Sequence, residues 1–180
     1  MDPFELLGLS RRPLLSDEEI GSAYRQLAGK LHPDQPGGNA LIFRELGEAA
    51  SILRDPARRL RELSSFPTGS QLPPKAAELF PHIASLLQQN DILIEKQTAT
   101  SNALAKAVMA APLRKLRTDL DSTLNELEEW KSSLDQELAK SDSLWPEHDP
   151  TDISLLADSY AYVARWESQL RERKLSLDCL

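Results

Sequence analysis

His32-Pro33-Asp34 sets an imidazole and a carboxylate two positions apart, with a proline between them and the turn Pro36-Gly37-Gly38 behind. A histidine and an aspartate can share proton-transfer work. Here, however, no nucleophile or third orienting group is identifiable nearby, and Pro33 holds the two side chains apart. The second use is recognition, with the tripeptide displayed on a loop by the segments on either side. The third is purely structural, with Pro33 and the glycines simply ending a helix. His82 and His148 have no companions at metal-ligand spacing. The single cysteine, Cys179, stands next to last and offers neither an intramolecular disulfide nor a cysteine metal site. The chain is therefore expected not to be an enzyme and to need no cofactor and no metal.

The tripeptide must be positioned by its neighbours. Pro3 to Leu7 predicts one or two helical turns closed by Gly8, followed by a loop from Ser10 to Leu15. Ser16 is a good helix cap, with Glu19 three positions on as in a capping box, and Asp17 and Glu18 suit the positive end of the dipole. Ile20, Ala23, Tyr24, Leu27, Ala28 and Leu31 then keep the spacing of one apolar stripe, which stops where Pro33 pushes His32 out of the helical region. A second stripe of similar length, Ile42, Phe43, Leu46, Ala49, Ala50 and Leu53, follows the short loop and predicts an antiparallel neighbour. Asp55-Pro56 starts a last, basic helix with Arg58, Arg59 and Arg61, which either solvate that helix or meet a partner. Arg25 and Lys30 lie off the first stripe, where solvent-facing positive charge would speed docking to an acidic patch.

The segment 67–74 carries Pro67, Gly69, Ser70, Pro73 and Pro74 and reads as a partly stiff linker. Beyond it the pattern changes to long helices. One is expected from Ala76 to about Met109, with Pro81 as a kink or the true start. The next carries Leu113, Leu116, Leu120, Leu124, Leu127, Trp130, Leu134 and Leu138 in strict 3/4 spacing. After a loop with Trp145, Pro146 and Pro150, the last uses Ile153, Leu156, Tyr160, Val163, Trp166 and Leu170. Three such stripes bury each other as an antiparallel bundle, and Leu86 to Glu95 is either a docking face or an ordinary amphipathic helix.

Composition agrees with an all-α chain. Of 180 residues 41% are hydrophobic and 27% charged, and Leu, Ala, Glu, Gln and Arg outweigh the β-branched residues. A net charge of −7 argues against coating nucleic acid or an anionic membrane. The longest uncharged runs, Leu63 to Pro74 and Leu79 to Asn90, are too short to span a bilayer, and the start MDPFELLGL lacks signal-peptide character. A soluble, cytoplasmic protein is expected.

Phe4-Glu5-Leu6-Leu7-Gly8-Leu9, Ala23-Tyr24-Arg25, Leu27-Ala28, His32-Pro33-Asp34, Phe43, Leu53 and Asp55-Pro56 stand in the order and spacing of a J-domain, so the first 65 or so residues resemble DnaJ-type co-chaperones. The resemblance implies a four-helix unit over 1–66 with the tripeptide between its second and third helices. It implies docking on a DnaK-type 70-kDa heat-shock chaperone and stimulation of its ATP hydrolysis. His32 and Asp34 would be the recognition groups, Pro33 would fix the loop, and Arg25 and Lys30 would steer the encounter. Gln26, Ser22, Gln35 and Ala50 depart from the usual pattern and make the second helix less basic, which implies a dedicated partner. A J-domain, a short linker at 67–74 and a helical bundle over 75–180 also resemble the layout of the HscB family. That family implies a bundle that recruits a client, there an iron–sulfur cluster scaffold. The alternative is a non-catalytic assembly protein whose J-like region is inactive.

Overall fold

Short strong caps dictate the first four helices. The computed structural model describes residues 1–64, 72–100, 102–147 and 149–178, so the readings placed on Phe66 to Gln71, His148 and Cys179 fall outside the described residues. Helix α1 (Pro3–Leu7) is capped by the Asp2 carboxylate, which accepts from Phe4 N–H, and closes on Gly8 at φ +66°. Helix α2 (Asp17–Leu31) opens on the full capping box: Ser16 Oγ accepts from Glu19 N–H, and Glu19 accepts from Ser16 N–H. Helix α3 (Ala40–Arg54) is capped by Asn39, and Asp55 both ends α3 and caps α4 (Pro56–Leu63). Three long helices follow, α5 (Pro74–Ala99), α6 (Ala103–Ser143) and α7 (Pro150–Asp178). Every regular element among the described residues is α-helical.

The chain forms two compact units, which divide at Gln71/Leu72, inside the 67–74 segment, and again within α6 and α7. Unit 1 joins Met1–Gln71 to Leu134–Tyr160, and unit 2 joins Leu72–Ser133 to Ala161–Leu180. In unit 1, α3 packs on α1, α2 and α4. Phe4, Ile20, Leu46, Leu53 and Leu60 form its core, all at or below 1% exposure. What brings Leu134–Tyr160 into this unit is polar as well as apolar. Asp142 accepts from Leu14 N–H at 2.9 Å and lies 3.3 Å from Arg12, and Trp145 Nε1–H donates to the Arg11 carbonyl at 2.7 Å. None of these partners shows a period that a sequence reading could use.

Unit 2 is a three-helix antiparallel bundle. Lys75 meets Glu126 and His82 meets Thr123 across α5 and α6. Trp130 lies against Trp166, and Lys174 against Asp121, across α6 and α7. Its core holds Leu79, Ile83, Leu86, Leu116, Leu120, Leu127, Val163, Trp166 and Leu170. Asn90 takes the next core position after Leu86 and is fully buried. Its Nδ2 donates to the Arg173 carbonyl at 3.4 Å, and its Oδ1 has no partner.

The boundary expected near Met109 is displaced. Helix α5 ends at Ala99 and α6 begins at Ala103, so Leu104 and Val108 belong to α6, and Pro112 sits inside that helix. Asn102 supplies the reason for the new start, because its Oδ1 accepts from Leu104 N–H at 2.8 Å. Pro112 removes the amide that would have met the Val108 carbonyl, and it does so on the solvent side of α6, where Val108 is 68% exposed. Pro81 is likewise interior and exposed, and the start of α5 is Pro74, at the first helical position.

Candidate functional site

The loop between α2 and α3 is built from backbone constraints. Pro33 holds His32 extended at φ −57°, ψ 135°, which terminates α2. Gln35 N–H then donates to the His32 carbonyl at 2.9 Å, Gly38 N–H to the Gln35 carbonyl at 2.9 Å, and Asn39 N–H to the Leu31 carbonyl at 3.1 Å. Two glycines make the path possible. Gly37 lies at φ +83°, and a Cβ on Gly38 would stand 1.9 Å from the His32 carbonyl oxygen. The turn is thus locked to the tripeptide itself.

Within it, His32 Nδ1 accepts from Asp34 N–H at 3.2 Å. Nδ1 also lies 3.5 Å from Asp34 Oδ2. The imidazole meets the Phe43 ring edge-on, with centroids 5.0 Å apart and planes at 80°. This contact fixes the ring, while 42% of its side chain stays exposed; the Asp34 carboxylate is 86% exposed. His32, Pro33 and Asp34 therefore form one pre-shaped polar surface. The structure brings no nucleophile to it among the residues named from sequence.

Arg25 and Lys30 are both exposed on α2, but they behave differently. The Arg25 guanidinium folds back over Gly21, where a Cβ would meet its Nη1 at 3.2 Å and Arg54 Nη2 at 3.7 Å. Arg54, at the end of α3, thus shares the Gly21 notch with Arg25, a pairing that linear sequence does not show. Tyr24 and Phe43, expected as core, are only half-buried. The α2–α3 pair has its buried residues toward its base, at Ile20, Gly21, Leu46, Ala49, Ala50 and Leu53, and none near the loop. Two helices alone cannot enclose a core at their free end.

The basic side chains of α4 are spent inside unit 1. Arg59 is 3% exposed and donates to the Pro13 carbonyl at 2.7 Å and the Leu53 carbonyl at 2.6 Å; burial pulls its pKa down from the ordinary arginine value. Arg61 lies 3.7 Å from Asp158, and Arg58 donates to Glu48 and Ser51. Among the described residues, no helix is long and apolar enough to cross a membrane, and no group of three or more His, Cys, Asp or Glu could hold a metal ion.

Comparison with known proteins concerns the same stretch. The DnaJ domain family matches residues 2–61. Chaperone protein DnaJ of Deinococcus proteolyticus is 43% identical over 76 residues, 41% of this chain and 24% of that protein. Protein SIS1 of Saccharomyces cerevisiae is 43% identical over 56 residues, 31% of this chain and 15% of that protein. DnaJ homolog subfamily C member 18 of Bos taurus is 46% identical over 61 residues, 32% of this chain and 16% of that protein. The match spans a quarter or less of these relatives. No solved structure matches the chain. Helices α1 to α4, with the locked tripeptide turn between the second and third, are a DnaJ domain.

Proposed function

We propose that this chain is a J-domain co-chaperone that stimulates ATP hydrolysis by a DnaK-type chaperone, with the remaining helices recruiting its client. The observation that carries the reading is the tripeptide turn. Its imidazole and carboxylate are held in one shape by the backbone and Phe43, yet the fold spends neither on its own core. Groups kept rigid and exposed are what a docking surface needs, because little ordering entropy remains to be lost on binding. In this reading His32 and Asp34 contact the chaperone, Pro33 sets the turn, and Lys30 and Arg25 attract an acidic face. The cytoplasm is the compartment expected for such a pair. The narrower form, an iron–sulfur cluster scaffold as client in the manner of HscB, is supported by the bundle of unit 2 beside a J-domain.

Single-turnover ATP hydrolysis by a DnaK-type chaperone tests the core of this reading. The intact chain accelerates the step, and His32→Gln reduces the acceleration by about tenfold or more, a loss of about 1.4 kcal/mol in the coupled transition state. Equal rates with both forms, on a general chaperone and on an iron–sulfur paralogue with its scaffold, would sink it and leave the assembly-protein reading. The client is tested separately, by titrating a purified scaffold protein against the full chain.

A further inference from the structure

The start of α6 is apolar all round its circumference. Leu113, Leu116 and Leu120 face the bundle core or its edge, while Leu104, Ala107, Val108 and Ala111 repeat at helical spacing on the opposite, exposed side. Leu104 is 73% and Val108 68% exposed, although a helix with apolar residues on every side ordinarily has every side covered. Charge marks the same stretch. From Lys96 to Thr118 the chain holds Lys96, Lys106, Arg114, Lys115 and Arg117 and no acid, within a protein of net charge −7. Arg117 is paired with Asp178. The other four are exposed and carry no ion pair among the described residues, and Arg114 and Lys115 continue the line of Leu104, Val108 and Ala111 one turn further.

We infer that this face of α6 is a docking site for an acidic amphipathic helix of a client protein. The occupant's sign follows from charge complementarity, since Lys106, Arg114 and Lys115, exposed on α6 with no acid between them, repel a basic segment and attract a carboxylate-rich one. Its helical form follows from shape. Ala107 and Ala111 beside Leu104 and Val108 make a shallow seam at intervals of three and four, which lets a second helix approach closely with its own Leu-type side chains in the gaps. An anionic membrane fits less well. Helices that lie in a lipid surface set Trp or Phe into it, and no aromatic residue occurs between Phe80 and Trp130. The inference deepens the client-recruiting role proposed for the bundle and rests on it, but it concerns residues remote in sequence from the tripeptide.

The test uses the full chain and a fluorescein-labelled synthetic helix with leucines at i, i+3, i+4 and i+7 and glutamates elsewhere. Anisotropy is expected to rise on titration, more than for a scrambled peptide of the same composition. Lys106→Glu/Arg114→Glu/Lys115→Glu should weaken binding about tenfold or more and flatten its salt dependence. Leu104→Ser/Val108→Ser should weaken it by about tenfold with the salt dependence kept. All five side chains are exposed, so circular dichroism and chaperone ATPase stimulation by the variants should match the parent. Equal binding of the scrambled peptide, unchanged binding by both variants, tighter binding to phosphatidylserine-containing vesicles, or saturation of the face by self-association in sedimentation would each overturn the inference. Loss of ATPase stimulation by the parent chain would instead strike the co-chaperone reading and leave peptide binding to stand or fall alone.

Discussion

The tripeptide turn and helix α4 are both rich in polar side chains, and they use them in opposite ways. In the turn, backbone hydrogen bonds and two glycines shape the chain, so the His32 ring stays half-exposed and the Asp34 carboxylate largely exposed. In α4 the arginines do the shaping. Arg59 is buried between two backbone carbonyls, Arg61 lies by the buried Asp158, and Arg58 reaches Glu48. A basic run therefore says little about partners until its hydrogen bonds are counted. Charge that the fold has already consumed is unavailable for recognition.

Substitutions can break this contrast. The largest effect is expected for Arg59→Ala, which leaves the Pro13 and Leu53 carbonyls buried without donors. It should destabilise unit 1 by about 3 kcal/mol, read as a lower urea midpoint of the intact chain. A loss below about 0.5 kcal/mol would show that α4 is as uncommitted as the turn. Gly38→Ala comes next. Its methyl group collides with backbone, so the turn must reshape at a cost of about 1–3 kcal/mol, and chaperone stimulation should fall with it. Retained stimulation would mean that the observed turn shape is not the working one. By contrast, His32→Gln removes a half-exposed ring and should move stability by no more than about 1 kcal/mol while lowering stimulation by about tenfold or more.

The smallest effect is at the other end of α2. The Ser16 backbone amide and hydroxyl, helped by Arg12, hold the Glu19 carboxyl below its ordinary value of 4.5. A depressed carboxyl contributes stability above the unfolded value and loses it as pH falls through the folded one. Ser16→Ala should therefore cost about 1 kcal/mol at neutral pH. The gap between variant and parent should narrow below about pH 4.5. A gap independent of pH would assign the whole effect to the Ser16 hydroxyl's bond to the Glu19 amide.

Much of the fold was legible because its signals are local. The Ser16–Glu19 box, Asp55-Pro56 and the stripes of α6 and α7 each act within a few residues, and Ile153, Leu156, Tyr160, Val163, Trp166 and Leu170 are all buried as their spacing predicts. The helix boundary expected near Met109 was misplaced, because the Asn102 cap that starts α6 at Ala103 acts on a turn the apolar spacing does not show. Asn90 was equally illegible, since its place in the core follows from register among three helices rather than from its type.

For the site, the sequence by itself supplied the tripeptide, its helix stop and the Gly37-Gly38 turn, because proline and glycine restrict the backbone wherever they stand. Only the folded chain decided that Phe43 props the His32 ring, that Arg54 shares the Gly21 notch with Arg25, and that Leu134–Tyr160 joins the N-terminal unit. Those contacts join residues far apart in the chain or on different helices. They depend on helix packing and on which polar groups remain unsatisfied once the apolar stripes have closed.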